Sequence, residues 1–200
     1  LLGGGGWGWA YQTLKDSEGF LTSDNITLQR DSYAITTHPA DVSFSGWWPW
    51  GEGNQLTLKV EGTNNNSAKQ IFIGIADEAD VSNYLSNVNY DEIREFRIHP
   101  DEISYRNHPG TAVPEAPTAQ TFWVVPPAYG NGTQTLEWEL EKGTWVLVLM
   151  NDDGSAGIDL SGAIGVKVPW LFGIGIGFLV GGIAVLAIGI AMVYFAVRRS

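Results

Sequence analysis

The strongest constraint on this chain is a run of thirty residues, 168–197, that contains no charged side chain (VPWLFGIGIGFLVGGIAVLAIGIAMVYFAV). A helix needs about 20 apolar residues to cross a bilayer, and a helix buried in a soluble core would keep a polar face. Arg198 and Arg199 follow the run directly. By the positive-inside rule, residues 167–200 are predicted to be a transmembrane helix with a short cytoplasmic tail, and the preceding residues to lie outside the cytoplasm.

The charges fall almost entirely before this run. Nine basic and 22 acidic residues precede residue 168, a formal charge of −13. A nucleic-acid binder needs a basic face to neutralise phosphates, so no nucleic-acid partner is expected. The chain has no cysteine, which excludes disulfides, thiol nucleophiles and thiolate metal sites.

The N-terminal residues have membrane-like character of their own. Residues 1–10 read LLGGGGWGWA, which combines apolar and interfacial side chains with glycine. Residues 1–14 are predicted to be the outer end of a first membrane helix, and a flexible glycine-rich tail is the alternative.

Three glycines of the C-terminal run recur at a spacing of four and would form one smooth helix face. Such a face lets another helix approach closely. The helix-packing residues predicted on this basis are Gly173, Gly177 and Gly181.

The segment between the apolar ends, residues 15–166, reads as an extracytoplasmic β-domain. Short apolar or alternating runs are separated by turn residues, as in QLTLKVE at 55–61 and TQTLEWE at 133–139. This pattern predicts an antiparallel β-sandwich of the jelly-roll or immunoglobulin-like type. Strands are expected at Asn25–Gln29, Ser32–Thr36, Val42–Ser45, Gln55–Glu61, Ile71–Ala76, Ile93–His99, Thr121–Val125, Thr133–Glu139, Thr144–Met150 and Gly157–Leu160.

One short helix is expected within this domain. Asp77 can cap a helix over Glu78–Asn87, whose apolar residues recur at spacings of three and four. The proline-rich stretch Asn107–Ala119 is expected to be an extended surface loop.

Several strings, in this order, resemble one family. IFIGIADEADVSNYLSNVNYDEI (71–93) is similar to a segment of uncharacterised membrane-anchored proteins of actinobacteria and related lineages, in which a strand of the type VFVGIAP precedes ADVDxYLxGVxHDEV. FWVV (122–125), the stretch 136–159 and PWLFGIGIGFLVGG (169–182) resemble the closing strands and second helix of that family. The resemblance implies two membrane helices flanking an outer domain, and it implies no activity. The chain departs from the family pattern at Asn89–Tyr90.

Few residues point to chemistry. The chain has three histidines, His38, His99 and His108, and no two of them are four residues apart. A metal site would therefore require the fold to bring them together. The oxygen-rich turn with Asp152, Asp153 and Asp159 is a weak calcium candidate, since EF-hand spacing is absent and a hairpin turn explains these residues without metal.

Motifs for catalysis are missing from the sequence. It contains no G-x-S-x-G, H-E-x-x-H or phosphate-binding loop. No catalytic residue and no cofactor is therefore predicted.

The most suggestive short motif is Trp47-Trp48-Pro49-Trp50. Three tryptophans around a proline cannot all point inward from one strand, and exposed aromatic surface usually marks a contact. Trp47, Trp48 and Trp50 are thus predicted contact residues for a protein partner, the membrane interface or a stacked sugar. Packing of two of the rings in the sandwich core, with one at its rim, is the alternative.

Together these features predict a non-enzymatic domain anchored in the cell membrane. Its expected role is that of an accessory or structural subunit of a membrane protein complex, with lipid and membrane-protein subunits as partners. An extracytoplasmic ligand-binding or sensing module is the alternative.

Overall fold

Two facing β-sheets and one short helix make up the part of the chain that the computed structural model describes, residues 19–23, 25–42, 56–98 and 101–167. The strands are, in chain order, β1 (Leu21–Thr22), β2 (Ile26–Arg30), β3 (Ala34–Thr37), β4 (Ala40–Val42), β5 (Thr57–Asn64), β6 (Ile71–Asp77), β7 (Tyr90–Ile98), β8 (Asp101–His108), β9 (Ala128–Gly130), β10 (Gln134–Glu139), β11 (Gly143–Asn151) and β12 (Ile158–Lys167). The helix α1 (Glu78–Tyr84) lies between β6 and β7.

The first sheet has five strands in the order β1-β12-β5-β10, and β2 follows β1 along the same edge of β12. The second has seven strands in the order β8-β7-β3-β11-β6-β9, and β4 follows β3 along the edge of β11. The predicted mainly β architecture with one helix is therefore confirmed.

The prediction of a wholly antiparallel sandwich is wrong at one pair. β3 and β7 run parallel, with Ala34 opposite Tyr90 and Thr37 opposite Ile93. The cause is the connection from β6 through α1 to β7, which crosses over β11 and β3 and returns the chain in the direction of β6. A crossover of this length permits parallel pairing, whereas a short hairpin does not.

The inner faces of the two sheets enclose an aliphatic core. The alternation in β5 and β10 places Val60, Leu136 and Trp138 in this core, as the sequence predicts. The buried members of the core are Leu28, Ile35, Val60, Ile71, Ile73, Ile75, Leu136, Trp138, Leu147, Leu149, Ile158 and Leu160.

A second apolar cluster covers the outer face of the seven-stranded sheet. Val81 of α1, together with Leu85 and Val88 after the helix, packs against Phe72 and Met150 of the sheet. Because β6 and β11 are covered on both faces, their nearly continuous apolar sequences are explained. Both strands have a neighbour on each side in the sheet.

The helix prediction is correct in position and too long. Asp77 caps α1 by accepting a hydrogen bond from the Ala79 backbone N–H at 2.9 Å, as predicted. The helix ends at Tyr84 instead of Asn87, since Asn87 adopts a left-handed conformation with φ of 60°. Asparagine tolerates this conformation better than most residues.

Two further predictions are wrong. Thr121–Val125 is not a strand; Phe122 and Trp123 instead pack on the outer apolar cluster, and Trp123 Nε1 donates to the Pro117 carbonyl at 3.0 Å. The predicted loop Asn107–Ala119 begins later, because β8 extends to His108. The sequence of β8 has too few apolar residues to be recognised as a strand.

Within the described residues, no helix is both long and apolar enough to cross a membrane. The predicted transmembrane helix, the glycines Gly173, Gly177 and Gly181, and the N-terminal segment 1–14 all lie outside those residues.

Replacing Ile73 by alanine tests the core. The side chain is fully buried on the central strand β6, so Ile73→Ala should lower the free energy of unfolding by about 3 kcal/mol. Chemical denaturation followed by tryptophan fluorescence measures this change. Val113→Ala, at a position 71% exposed, is the control and should shift the free energy by less than about 0.5 kcal/mol. Equal effects of the two variants would contradict the described core.

Candidate functional site

The chain enters and leaves the sandwich at one and the same end. β1 pairs with the last residues of β12, with Leu21 opposite Val166 and Thr22 opposite Gly165. β12 then ends at Lys167, directly before the apolar run. We call this end of the sandwich, marked by Leu21, Val166 and Lys167, the entry end.

Phe20 fixes β1 against the outer face of the five-stranded sheet. Its ring is 2% exposed and lies below the ammonium groups of Lys59 and Lys167, at 4.7 and 5.3 Å from the ring centroid. A side chain at Gly165 would begin only 3.2 Å from the Phe20 Cβ, so glycine makes room for the ring. Cation–π attraction of this kind strengthens when the cation is desolvated, as it is for the buried Lys59.

The predicted tryptophan segment also starts and finishes at the entry end. β4 ends at Val42, opposite Gly143 at the start of β11. β5 begins at Thr57, opposite both Lys167 and Glu139. Residues 43–55 therefore leave and rejoin the described structure at this end. Trp47, Trp48 and Trp50 belong to that segment and lie outside the described residues.

A carboxylate with two histidines lies on the outer face of the seven-stranded sheet. Glu92 of β7 is nearly buried; its Oε2 is 2.8 Å from His108 Nε2 and its Oε1 is 2.5 Å from His38 Nδ1. The guanidinium of Arg94 is 3.4 Å from Oε1. Burial raises the pKa of Glu92, but the hydrogen bonds from His108 and His38 and the charge of Arg94 outweigh burial, so this pKa lies below its ordinary value.

This cluster brings together two of the three histidines that the sequence singled out. His108 also stacks on Tyr90, with ring centroids 4.4 Å apart. His99 lies outside the described residues. Among the residues that are described, no group of three or more His, Asp or Glu side chains is placed to hold a metal ion.

The residue next to Glu92 joins the two sheets. Asp91 points to the inner side, where its Oδ1 accepts a hydrogen bond from Arg30 of β2 at 3.1 Å and one from Asn107 at 3.2 Å. The Arg30 guanidinium also lies 4.3 Å from the centre of the Tyr105 ring. Burial raises the pKa of Asp91, but the hydrogen bonds from Arg30, Ser32 and Asn107 lower it by more than burial raises it. The pKa therefore lies below its ordinary value.

The three calcium candidates, Asp152, Asp153 and Asp159, each have different hydrogen-bond partners. Asp153 Oδ1 accepts from the Ser155 backbone N–H at 2.9 Å, which closes the turn. Asp159 Oδ1 accepts from Asn65 Nδ2 at 2.7 Å, directly after the end of β5. Asp152 lies in the same turn, where its backbone N–H donates to the Gln70 carbonyl at 3.1 Å. The hairpin-turn interpretation accounts for these residues, with Gly154 at a φ of 73°.

An apolar cavity of about 180 Å³ lies between the two sheets. Its walls come from both sheets, and its partly exposed rim includes Ile26, Ile93, Ile103 and Ile164. Sequence reasoning missed this cavity. Gly62 and Gly162 lie opposite each other in β5 and β12 on its wall, but Ile71 Cδ1 and the Glu61 carbonyl oxygen lie 2.5 and 2.2 Å from where their Cβ atoms would be. These glycines therefore do not signal a cavity in the sequence.

No protein family's sequence profile matches the chain, and no curated protein is significantly similar to it in sequence. The similarity to actinobacterial membrane-anchored proteins stays a prediction.

The bond between Asp91 and Arg30 should make stability depend on pH. Breaking a buried ion pair costs about 3–5 kcal/mol; since the Arg30 side chain is 35% exposed, the expected loss for Asp91→Asn is about 1–3 kcal/mol at pH 7. The pKa of Asp91 is lower in the folded state than its ordinary value of 3.8. Its stabilisation is therefore full above pH 3.8 and is lost as the pH falls through the folded-state pKa.

Free energies of unfolding for wild type and Asp91→Asn, measured from pH 7 to pH 2.5, should converge below pH 3.8. The exposed Asp41 provides a matched control, because Asp41→Asn should follow wild type throughout. A constant difference between wild type and Asp91→Asn down to pH 2.5 would contradict the assigned role of the carboxylate.

Proposed function

We propose that this protein is a non-enzymatic domain, anchored in the cell membrane and held outside the cytoplasm, that serves as an accessory or structural subunit of a membrane protein complex. The pairing of β1 with the end of β12 is the observation that carries the proposal. It brings Leu21 next to Val166 at one end of the sandwich, which supports two adjacent membrane attachments.

The length and charge of the C-terminal run support a membrane anchor. Thirty residues in a helix extend about 45 Å, more than the roughly 30 Å of a bilayer's hydrocarbon core, so a tilted helix would span it. Arg198 and Arg199 favour a cytoplasmic C-terminus. A domain with a charge of −13 is suited to stand off from anionic lipid headgroups rather than adhere to them.

The entry end would then face the membrane, and this gives the tryptophans a role. Trp47, Trp48 and Trp50 lie in the segment that leaves and rejoins the sandwich at that end. Tryptophan is enriched where one side of the ring meets hydrocarbon and the other meets water. We expect these side chains to contact the headgroup region or a partner subunit embedded beside it.

The glycine face supports assembly with another helix. Gly173, Gly177 and Gly181 would form one face of a helix over 168–197, and small residues at such a spacing allow close helix packing in lipid. The partner is either the apolar N-terminal segment of this chain or a helix of another subunit. The family resemblance, which implies two helices flanking an outer domain, agrees with this arrangement.

A ligand-binding or sensing module is the second candidate function. The cavity between the sheets favours it, because ligand sites are concave and mostly lined by apolar side chains.

The topology can be tested on the cysteine-free chain. Val113→Cys lies at an exposed position of the outer domain, and Ser200→Cys lies beyond the arginine pair. On intact cells, a membrane-impermeant maleimide should label Val113→Cys and leave Ser200→Cys unlabelled. After permeabilisation both should react, which serves as the control. Labelling of Ser200→Cys from outside would disprove the proposed orientation.

Assembly can be tested on the glycine face. The double substitution Gly177→Leu and Gly181→Leu should weaken association with the partner helix by about 1–2 kcal/mol, measured as loss of subunits that co-purify or cross-link with the full chain in lipid nanodiscs. Gly175→Leu is the matched control, since two residues along a helix correspond to about 200° of rotation. If the double substitution and the control leave assembly equally intact, the glycine face contacts only lipid.

A further inference from the structure

We propose that the cavity between the two sheets is a binding site for a short hydrocarbon group, supplied either by the acyl chain of a membrane lipid or by a small free aliphatic molecule. The inference deepens the second candidate function, a binding module, and does not depend on how the chain is anchored.

The chemistry of the walls selects the ligand class. The side chains that line the cavity's deep part are aliphatic and come from both sheets: Ile35, Val60, Ile71, Leu147, Leu149 and Leu160. The lining also includes Glu61, which pairs with Lys59 at 3.5 Å, and Thr37, whose Oγ1 accepts a hydrogen bond from the Leu147 N–H at 3.1 Å. Because these polar groups already have partners, a polar or ionised ligand would lose its hydration without compensation. An apolar group loses nothing and gains burial.

Two opposed glycines let neighbouring atoms approach closely at one wall of the cavity. On the inner face of the five-stranded sheet, Leu160 and Ile164 alternate with Gly162, which pairs with Gly62 of β5. Ile71 Cδ1 lies 2.5 Å from where a Gly62 Cβ would be, and the Glu61 carbonyl oxygen lies 2.2 Å from where a Gly162 Cβ would be. A side chain at either position would therefore displace the wall beside the cavity.

The volume matches a small hydrocarbon. An aliphatic cavity of about 150 Å³ engineered into another protein stays dry and binds benzene. At about 180 Å³, this cavity has room for an aliphatic chain of about six carbons by the same comparison.

The rim provides a route of entry. Ile26, Ile93 and Ile103 are partly exposed and Ile164 is 38% exposed, so the cavity is not sealed by the described residues. Ile164 lies three residues from Lys167, about 10 Å along the strand from the entry end. An acyl chain from a bilayer at that end would have a short distance to travel.

The test uses the full chain in phosphatidylcholine nanodiscs, with ¹³C-labelled isoleucine methyl groups observed by NMR. The probes are linear 1-alkanols from butanol to octanol. Ile35, Ile71, Ile93 and Ile103 should shift saturably, while Ile75, which does not line the cavity, stays unchanged. Affinity should rise about fourfold per added methylene and level off once the chain exceeds about six carbons.

Two cavity-filling variants and a control accompany the titration. Ile103→Trp and Ile93→Phe enlarge partly exposed rim residues and should weaken hexanol binding at least tenfold. Val113→Trp adds the same ring at an exposed position and should leave binding unchanged. The unshifted methyl spectrum of Ile75 and Ile158 reports that each variant is folded.

A lipid arm distinguishes the two sources. The nanodiscs then contain phosphatidylcholine with a spin label near the end of its acyl chain. If a bilayer chain occupies the site, the label should broaden the methyl signals of the cavity residues. Ile103→Trp should remove this broadening. Shifts with alkanols but no broadening assign the site to a free molecule. The proposal is overturned if no alkanol produces saturable shifts and no broadening occurs, or if Ile103→Trp and Val113→Trp bind hexanol equally well.

Discussion

Burial of the seven-stranded sheet on both faces is the constraint on which the rest of the structure depends. β6 and β11 present apolar side chains on either side, so one face needs the five-stranded sheet and the other needs a separate cover. The chain supplies that cover with α1, Val88 and the segment that carries Phe122 and Trp123. Because α1 must cross the sheet to do this, β7 enters parallel to β3, and this step places Asp91 between the sheets and Glu92 on the outside.

The sequence predicts those parts of the fold whose patterns are local, meaning that they involve residues close together in the chain. Alternation in β5 and β10, the continuous apolar runs of β6 and β11, and the Asp77 cap are local, and each is recognised correctly. β8 is missed because a strand that pairs only with β7 at the sheet edge needs few apolar residues. Thr121–Val125 is wrongly predicted to be a strand because its apolar side chains pack on the outer face of the sheet. In the sequence, such a segment has the same apolar composition as a strand.

The candidate sites were less accessible to sequence reasoning for the same reason. His38 and His108 are 70 residues apart, and only the pairing of β7 with both β3 and β8 brings them to one carboxylate. The cavity lies beside Gly62 and Gly162, where Ile71 and the Glu61 carbonyl approach closely. Glycine in a strand indicates a bulge or a close approach, so these residues do not predict a cavity. The shared end of β1 and β12 depends on pairing between residues more than 140 positions apart.

That shared end has a mechanical consequence. If tension pulled Leu21 and Lys167 apart, it would act on the two-residue pairing of β1 with β12 in the opening direction, so its hydrogen bonds would break in succession. On the N-terminal side, the five paired positions of β2 and β12 would bear the load once β1 and Phe20 have detached. Detachment of the short strand β1 would let the domain lengthen under force while its core stays folded.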